Sequence, residues 1–284
     1  MDYKILALDL DGTLLNSTHE ITCNTLQVIK TLRSLGMCIV ITTGRSYNAC
    51  TYYSKLIDAD YTIACNGAFT YDNKKNTIYN KIPLDKKLSQ SVLEMLFKGK
   101  DKLKIQWDSI STYYSNNITP FESNYIENYK RDFPDEIFNH RIINKYNKNH
   151  KGFNEEIYQI FFHPTSRSRE EYFDVLQELK TFQNINIVDF KNECTDINNI
   201  CATKGNGLKT LANSLNVPSE KIIAFGDGNN DISMFKYAGL AVAMENACAE
   251  IKELSNMITS HHDKEGVANA LQSIFKLNPS NINT

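Results

Sequence analysis

Five short stretches carry the residue types that could do chemistry. Asp9 and Asp11, separated by Leu10, follow the apolar run Ile5–Leu8. Thr43-Gly44-Arg45 follows Met37–Thr42, and Asn66-Gly67 follows Tyr61–Cys65. Gly226-Asp227-Gly228-Asn229-Asn230-Asp231 follows Ile222–Phe225, and Lys204 lies in Thr203-Lys204-Gly205. Asp9, Asp11, Asp227 and Asp231 gathered in one cleft would repel one another, and carboxylates a few ångströms apart cannot all stay ionised uncompensated. An oxygen-only donor set with no local His or Cys favours a hard cation, Mg²⁺ above others. The hydroxyl of Thr43 with its following glycine, and the ammonium of Lys204, suit a phosphate. If the first strand continues through Asp11, residues 9 and 11 face one side. Neither glycine-rich stretch has the P-loop pattern, so P-loop nucleotide binding is disfavoured.

These residues need elements that end where they stand. The runs Ile5–Leu8, Met37–Thr42, Tyr61–Cys65, Ile222–Phe225 and Leu240–Met244 read as strands buried on both faces, as in a parallel sheet. Leu26, Ile29, Leu32 and Leu35 mark a helix that Gly36 ends, and Leu208, Leu211 and Leu215 mark another. Strand–helix alternation predicts an α/β doubly wound sheet, where ligands bind at the carboxyl ends of strands. Residues 84–195 break the pattern. They hold much of the Tyr, Phe, Asn and Lys and the single tryptophan, Trp107. Lys102–Asp108 and the stretch from Glu156 to His163 read as strands, and the stretch from Ser168 to Phe182 as an amphipathic helix. The expected organisation is a core of residues 1–83 and 196–284 interrupted by an α+β domain. The stretch from Lys130 to Gly152 has no legible pattern, and the tail Asn278–Thr284 is expected to fray.

Composition narrows the classes of function. The 284 residues are 42% hydrophobic and 23% charged, ordinary for a globular protein, with a net charge of -2. That charge gives no field for nucleic acid or for a membrane surface, and no apolar run is long enough to span a bilayer. No signal peptide is read at the N-terminus. The seven cysteines form no C-x-x-C and fit buried free thiols in a reducing, cytoplasmic setting. His261-His262 reads as a solvated loop rather than a metal pair, because adjacent side chains rarely converge. Trp107, Tyr113 and Tyr114 read as packing residues.

The segments DLDGTLL, TTGR, Lys204-Gly205 and GDGNND, in that order, resemble the four motifs of the haloacid dehalogenase superfamily of phosphatases. CNGA (Cys65–Ala68), GLAVAMENA (Gly239–Ala247) and EGVANAL (Glu265–Leu271) resemble its Cof-type branch, subfamily IIB. The resemblance implies a Rossmann-like core with an inserted cap of the C2B type. It implies Asp9 as nucleophile on phosphorus, Asp11 as general acid and base, and Lys204 as the group that neutralises developing charge. It implies Mg²⁺ held by Asp9, the backbone carbonyl of Asp11, Asp227, and Asp231 directly or through water. Leu10, Thr43, Gly44, Arg45, Asn66 and Asn230 would then bind phosphate or substrate. Small phosphate esters are the implied partners, sugar phosphates first and nucleotide or cofactor phosphates next. Monomer and homodimer stay open. So do two rival functions: a phosphotransferase or phosphomutase on the same scaffold, and a non-catalytic phosphate-binding regulator.

Overall fold

The computed structural model describes residues 3–99, 101–135, 137–165, 169–190 and 193–277, the side chain of residue 121 excepted. The expected frayed tail from Asn278 and the helix start at Ser168 lie outside these residues. The strands in chain order are β1 (Ile5–Leu8), β2 (Cys38–Thr42), β3 (Tyr61–Ala64), β4 (Phe69–Asp72), β5 (Thr77–Lys81), β6 (Leu103–Asp108), β7 (Tyr113–Ser115), β8 (His140–Ile142), β9 (Gln159–Pro164), β10 (Ile185–Phe190), β11 (Cys194–Asn199), β12 (Ile222–Gly226), β13 (Leu240–Ala243) and β14 (Met257–Ile258). The helices are α1 (Cys23–Ser34), α2 (Tyr47–Leu56), α3 (Lys86–Lys98), α4 (Pro120–Asp132), α5 (Arg169–Leu179), α6 (Lys204–Ser214), α7 (Ile232–Phe235), α8 (Ala249–Leu254) and α9 (Gly266–Phe275). The chain divides into two compact units, one of residues 1–45, 50–80 and 203–284, the other of 46–49 and 81–202.

The first unit is built on an eight-stranded sheet in the order β14-β13-β12-β1-β2-β3-β4-β5. From β14 to β3 the pairing is parallel, and β4 joins antiparallel. β1 is central because Ile5, Leu6, Ala7 and Leu8 are all buried, which only a strand covered on both faces tolerates. Ile5 and Ala7 pack with Leu208, Leu211 and Met234 from the helical layer. From β1 the chain winds outward through β2 and β3, then returns to β12 on β1's other side. That reversal is a topological switch point beside β1. α1 begins at Thr22, whose side chain accepts from the Thr25 N–H, and gives way at Gly36.

The second unit is a six-stranded sheet in the order β10-β11-β9-β6-β7-β8, antiparallel except for β7 with β8. One face carries Leu103, Ile105 and Trp107 of β6, and Ile160 and Phe162 of β9. It packs against Val92, Leu93 and Leu96 of α3 and Tyr172 and Leu176 of α5. Trp107 stacks on Tyr114 and Phe153, centroids 5.3 and 5.0 Å apart, and its indole N–H donates to the Gly152 carbonyl. Among the described residues no helix is long and apolar enough to cross a membrane.

Candidate active site

The site is assembled at the carboxyl ends of β1, β2, β3 and β12, with Lys204 added by α6. β1 ends at Leu8, one residue before the first acid. Asp9 remains extended (φ -70°, ψ 161°), and the Leu14 N–H donates back to its carbonyl while that of Leu15 donates to the Leu10 carbonyl. These bonds close a wide turn over Leu10–Leu14. The strand does not continue through Asp11, so strand alternation does not put the two acids on one side, and the turn sets them instead. Asp9 points inward and is 5% exposed, whereas the side chain of Asp11 is 48% exposed. Gly12 takes φ +73°, and a Cβ there would lie 2.4 Å from Asp227 Oδ2. Only glycine lets this turn approach the aspartate so closely.

Lys204 is the centre of the buried charge. Its ammonium is enclosed and donates to Asp9 Oδ1 and to Asp231 Oδ1, both at 2.6 Å. It stands in the first turn of α6, where the helix dipole disfavours a cation. Burial also opposes its charge, but Asp231 and Asp9 outweigh it and hold the lysine above its ordinary pKa. The other oxygen of Asp231 accepts the N–H groups of Asp227 and Gly228, each at 3.0 Å. That carboxylate thus shapes the loop that follows β12 as well as fixing the lysine. Gly67, at φ +97°, allows the Cys65–Gly67 turn to press on the backbone of Thr203 just before Lys204.

The carboxylates of Asp9, Asp227 and Asp231 offer oxygens that all lie within 4.8 Å of one another. Burial first, then the neighbouring carboxylates, lifts Asp9 well above the usual range even against Lys204. Burial and Asp231 push Asp227 up to about 6, although Thr13 Oγ1 donates to its Oδ1 at 2.9 Å. One lysine does not offset three close acids. An all-oxygen donor set with this surplus of negative charge fits a hard divalent cation.

The remaining expected residues take distinct places. Asp11 forms a two-point pair with Arg45: Nε to Oδ2 at 2.7 Å and an Nη to Oδ1 at 2.5 Å. Desolvation raises the Asp11 pKa, but Arg45 and then His19 outweigh it and hold the carboxyl below the usual range. Thr43 is buried, and its Oγ1 accepts the Arg45 N–H at 3.1 Å, with Gly44 between them. Asn230 Nδ2 donates to Asn66 Oδ1 at 3.0 Å, joining the loops after β12 and β3. The Leu10 side chain is fully buried, which leaves its backbone as the part that can serve a ligand. Three participants escaped the sequence reading: Thr13, His19 and Asn246. Asn246 Nδ2 donates to the Gly12 carbonyl at 2.8 Å and reaches Asp227 Oδ2 at 3.4 Å. It lies in the GLAVAMENA segment, whose residue pattern alone points to no contact with the acids. His19 left no signal in sequence, because its approach to Asp11 depends on the fold of the segment after the turn.

A parallel sheet with buried acids around a lysine at its switch point defines a class, the α/β proteins that bind an anionic ligand together with a metal at the ends of their strands. The model for haloacid dehalogenase-like hydrolases matches residues 6–271. The chain belongs to that family. It is 27% identical over 291 residues to the 5-amino-6-(5-phospho-D-ribitylamino)uracil phosphatase YitU of Bacillus subtilis, covering 96% of this chain and 98% of that one. The fold matches a haloacid dehalogenase-like hydrolase from Bacteroides thetaiotaomicron with a TM-score of 0.81, at 23% identity over 96% and 100% of the two chains. It also matches BT4131, described as a subclass IIB sugar phosphatase, with a TM-score of 0.74 at 22% identity over 96% and 100%. The protein is therefore a haloacid dehalogenase-like hydrolase of the phosphatase class, with a mainly parallel core sheet and a second, largely antiparallel sheet in the inserted unit. The family uses a divalent metal, for which Asp9, Asp227 and Asp231 are the candidate ligands.

Proposed function

We propose that the protein is a Mg²⁺-dependent phosphatase of small phosphomonoesters that works through an aspartyl-phosphate on Asp9. The observation that carries this reading is the buried Asp9 carboxylate held at 2.6 Å by Lys204 within a three-acid cluster. Asp9, Asp227 and the backbone carbonyl of Asp11 would hold the ion, with Asp231 a direct or water-mediated ligand. Bound Mg²⁺ would neutralise charge on the phosphoryl oxygens and let the anionic ester approach the acids.

An oxygen of Asp9 attacks phosphorus, and the bond to the leaving oxygen breaks. Asp11 protonates that oxygen, and the alcohol departs. Asp11 then takes a proton from water as the water attacks the aspartyl-phosphate, which restores the Asp9 carboxylate and releases phosphate. Lys204 fixes Asp9 and offsets the charge gathered on the phosphoryl group. Thr43 and the backbone of Leu10 and Gly44 bind phosphoryl oxygens, and Asn230, held by Asn66, orients the phosphate or Lys204. Arg45 has two tasks. The arriving phosphate competes for its guanidinium, and Asp11, relieved of that partner, takes up the proton it must deliver.

Phosphate on a polyhydroxylated carbon chain is the favoured substrate class. YitU carries a phosphoribityl compound in its name, and BT4131 is described as a sugar phosphatase. The cap, residues 84–195 by the sequence pattern, selects the leaving group, and the seven free cysteines suit a reducing cytoplasm. The test is phosphate release from a panel of sugar, nucleotide and cofactor phosphates, with and without Mg²⁺, for wild type and Asp9→Asn. Release that needs both Mg²⁺ and Asp9 is expected. Absence of turnover on every ester would overturn the reading, and turnover only with a bisphosphate activator would make the protein a mutase.

A further inference from the structure

Adjacent histidines seldom converge, yet here they do. His261 caps the short turn His262–Lys264, and its ring stands 4.5 Å from that of His262 at a tilt of 33°. His261 Nδ1 lies 3.6 Å and His262 Nε2 3.9 Å from the same atom, Asp263 Oδ2. Backbone partners set the tautomers. His261 Nδ1 accepts the Asp263 N–H at 3.2 Å, a bond that an ion on that nitrogen would replace. His262 Nδ1 lies 2.7 Å from the Leu15 carbonyl, which can only accept, so that nitrogen bears a proton and Nε2 is the one left to bind an ion. Two imidazole nitrogens and a carboxylate oxygen, one atom from each side chain, thus lie within 4.8 Å of one another. The Lys264 ammonium lies 3.8 Å from Glu245, which also accepts the backbone N–H of His261.

We propose that His261 Nδ1, His262 Nε2 and Asp263 Oδ2 form a second cation site, for a divalent transition ion that favours imidazole, such as Zn²⁺. Two ligand atoms on a tetrahedral ion about 2.1 Å away stand about 3.4 Å apart, within about half an ångström of the 3.6 and 3.9 Å from the two nitrogens to Asp263 Oδ2. The N–H of His262 donated to a backbone carbonyl is the usual partner of a metal-binding imidazole. The nitrogen donors separate this site from the all-oxygen cluster around Asp9. Its effect would be mechanical. Asp263 also accepts Ser17 N and Ser17 Oγ, both at 2.7 Å, and His262 holds Leu15. An ion here would brace residues 15–17, the segment that leaves the turn bearing Asp11.

The test is Co²⁺ titration of the untagged full chain in excess Mg²⁺, which occupies the carboxylate cluster. One Co²⁺ with a visible ligand-field band is expected. Its affinity should fall by more than about tenfold in His262→Gln and in His261→Gln. In the wild-type protein, Co²⁺ should broaden the ring-proton resonances of His261 and His262 ahead of those of the other four histidines. That measurement needs no variant to fold. The proposal is overturned if no Mg²⁺-resistant site exists, if both variants bind Co²⁺ as wild type does, or if those two histidines are unaffected.

Discussion

At the scale of single residues, the site is a set of ionic partnerships that each favour one protonation state. Asp11 is the clearest case, because a group cast as a general acid is held ionised by Arg45. Arg45→Ala should move the Asp11 pKa up toward about 3.9, the ordinary value, as read by carboxyl ¹³C NMR titration. Turnover should fall in the same variant as the phosphate loses a partner. Lys204 has a structural duty beyond positioning Asp9, because it holds Asp231 as well. Reading the motif alone, one expects its loss to reduce turnover more than stability. With two buried carboxylates resting on it, Lys204→Met should cost about 3 kcal/mol of folding free energy in urea unfolding. It should also lower kcat by about 10²–10³. The identities of Asp9, Asp11, Lys204 and Asp227 were legible in the sequence because each stands in a short motif. Which acid faces inward was not, since it depends on the turn closed by Leu14 and Leu15.

At the scale of elements, backbone geometry carries the ligands. The turn after β1 works because Gly12 adopts φ +73° against Asp227. Gly12→Ala should destabilise the protein by about 1–3 kcal/mol through strain and contact. It should also weaken divalent metal binding, as isothermal titration would measure. The buried strands of the first sheet were legible because continuous apolar runs such as Ile5–Leu8 and Ile222–Phe225 leave few alternatives. The edge strand β5 was not. Thr77–Lys81 is mostly exposed, so burial imprints little pattern on it. The same holds for β8, where His140–Ile142 sits in a polar stretch and contributes its backbone to the sheet. α4 hid its start as well, although Thr119 and Glu122 form a capping box there.

At the scale of the whole molecule, a protein that concentrates acids should show it in its pH dependence. Asp227 has its pKa raised to about 6, so the folded state holds a proton that the unfolded chain releases near 4. The sign follows: for this group, stability of the metal-free protein declines as pH rises from about 4 to about 6, then levels off. Thermal unfolding in chelator should show that decline, and added divalent cation should reverse it at neutral pH. Metal affinity should in turn fall below about pH 6, where the proton competes for Asp227. The two-unit organisation was partly legible, because the parallel-strand pattern stops before α3 and resumes at Lys204. In the second unit Trp107 and Tyr114 were legible as packing residues, but Phe153, which stacks on Trp107 from a stretch with no pattern, was not.

The central claim is that Asp9 becomes phosphorylated during turnover, and rapid quenching tests it most directly. The enzyme is mixed with Mg²⁺ and a hydrolysable phosphate ester, stopped in acid, digested and mapped by mass spectrometry. A phosphorylated peptide at Asp9 that decays as free phosphate appears, and that is missing from Asp9→Asn, is the predicted result. Steady turnover with no adduct on Asp9, or wild-type turnover by Asp9→Asn, would contradict it.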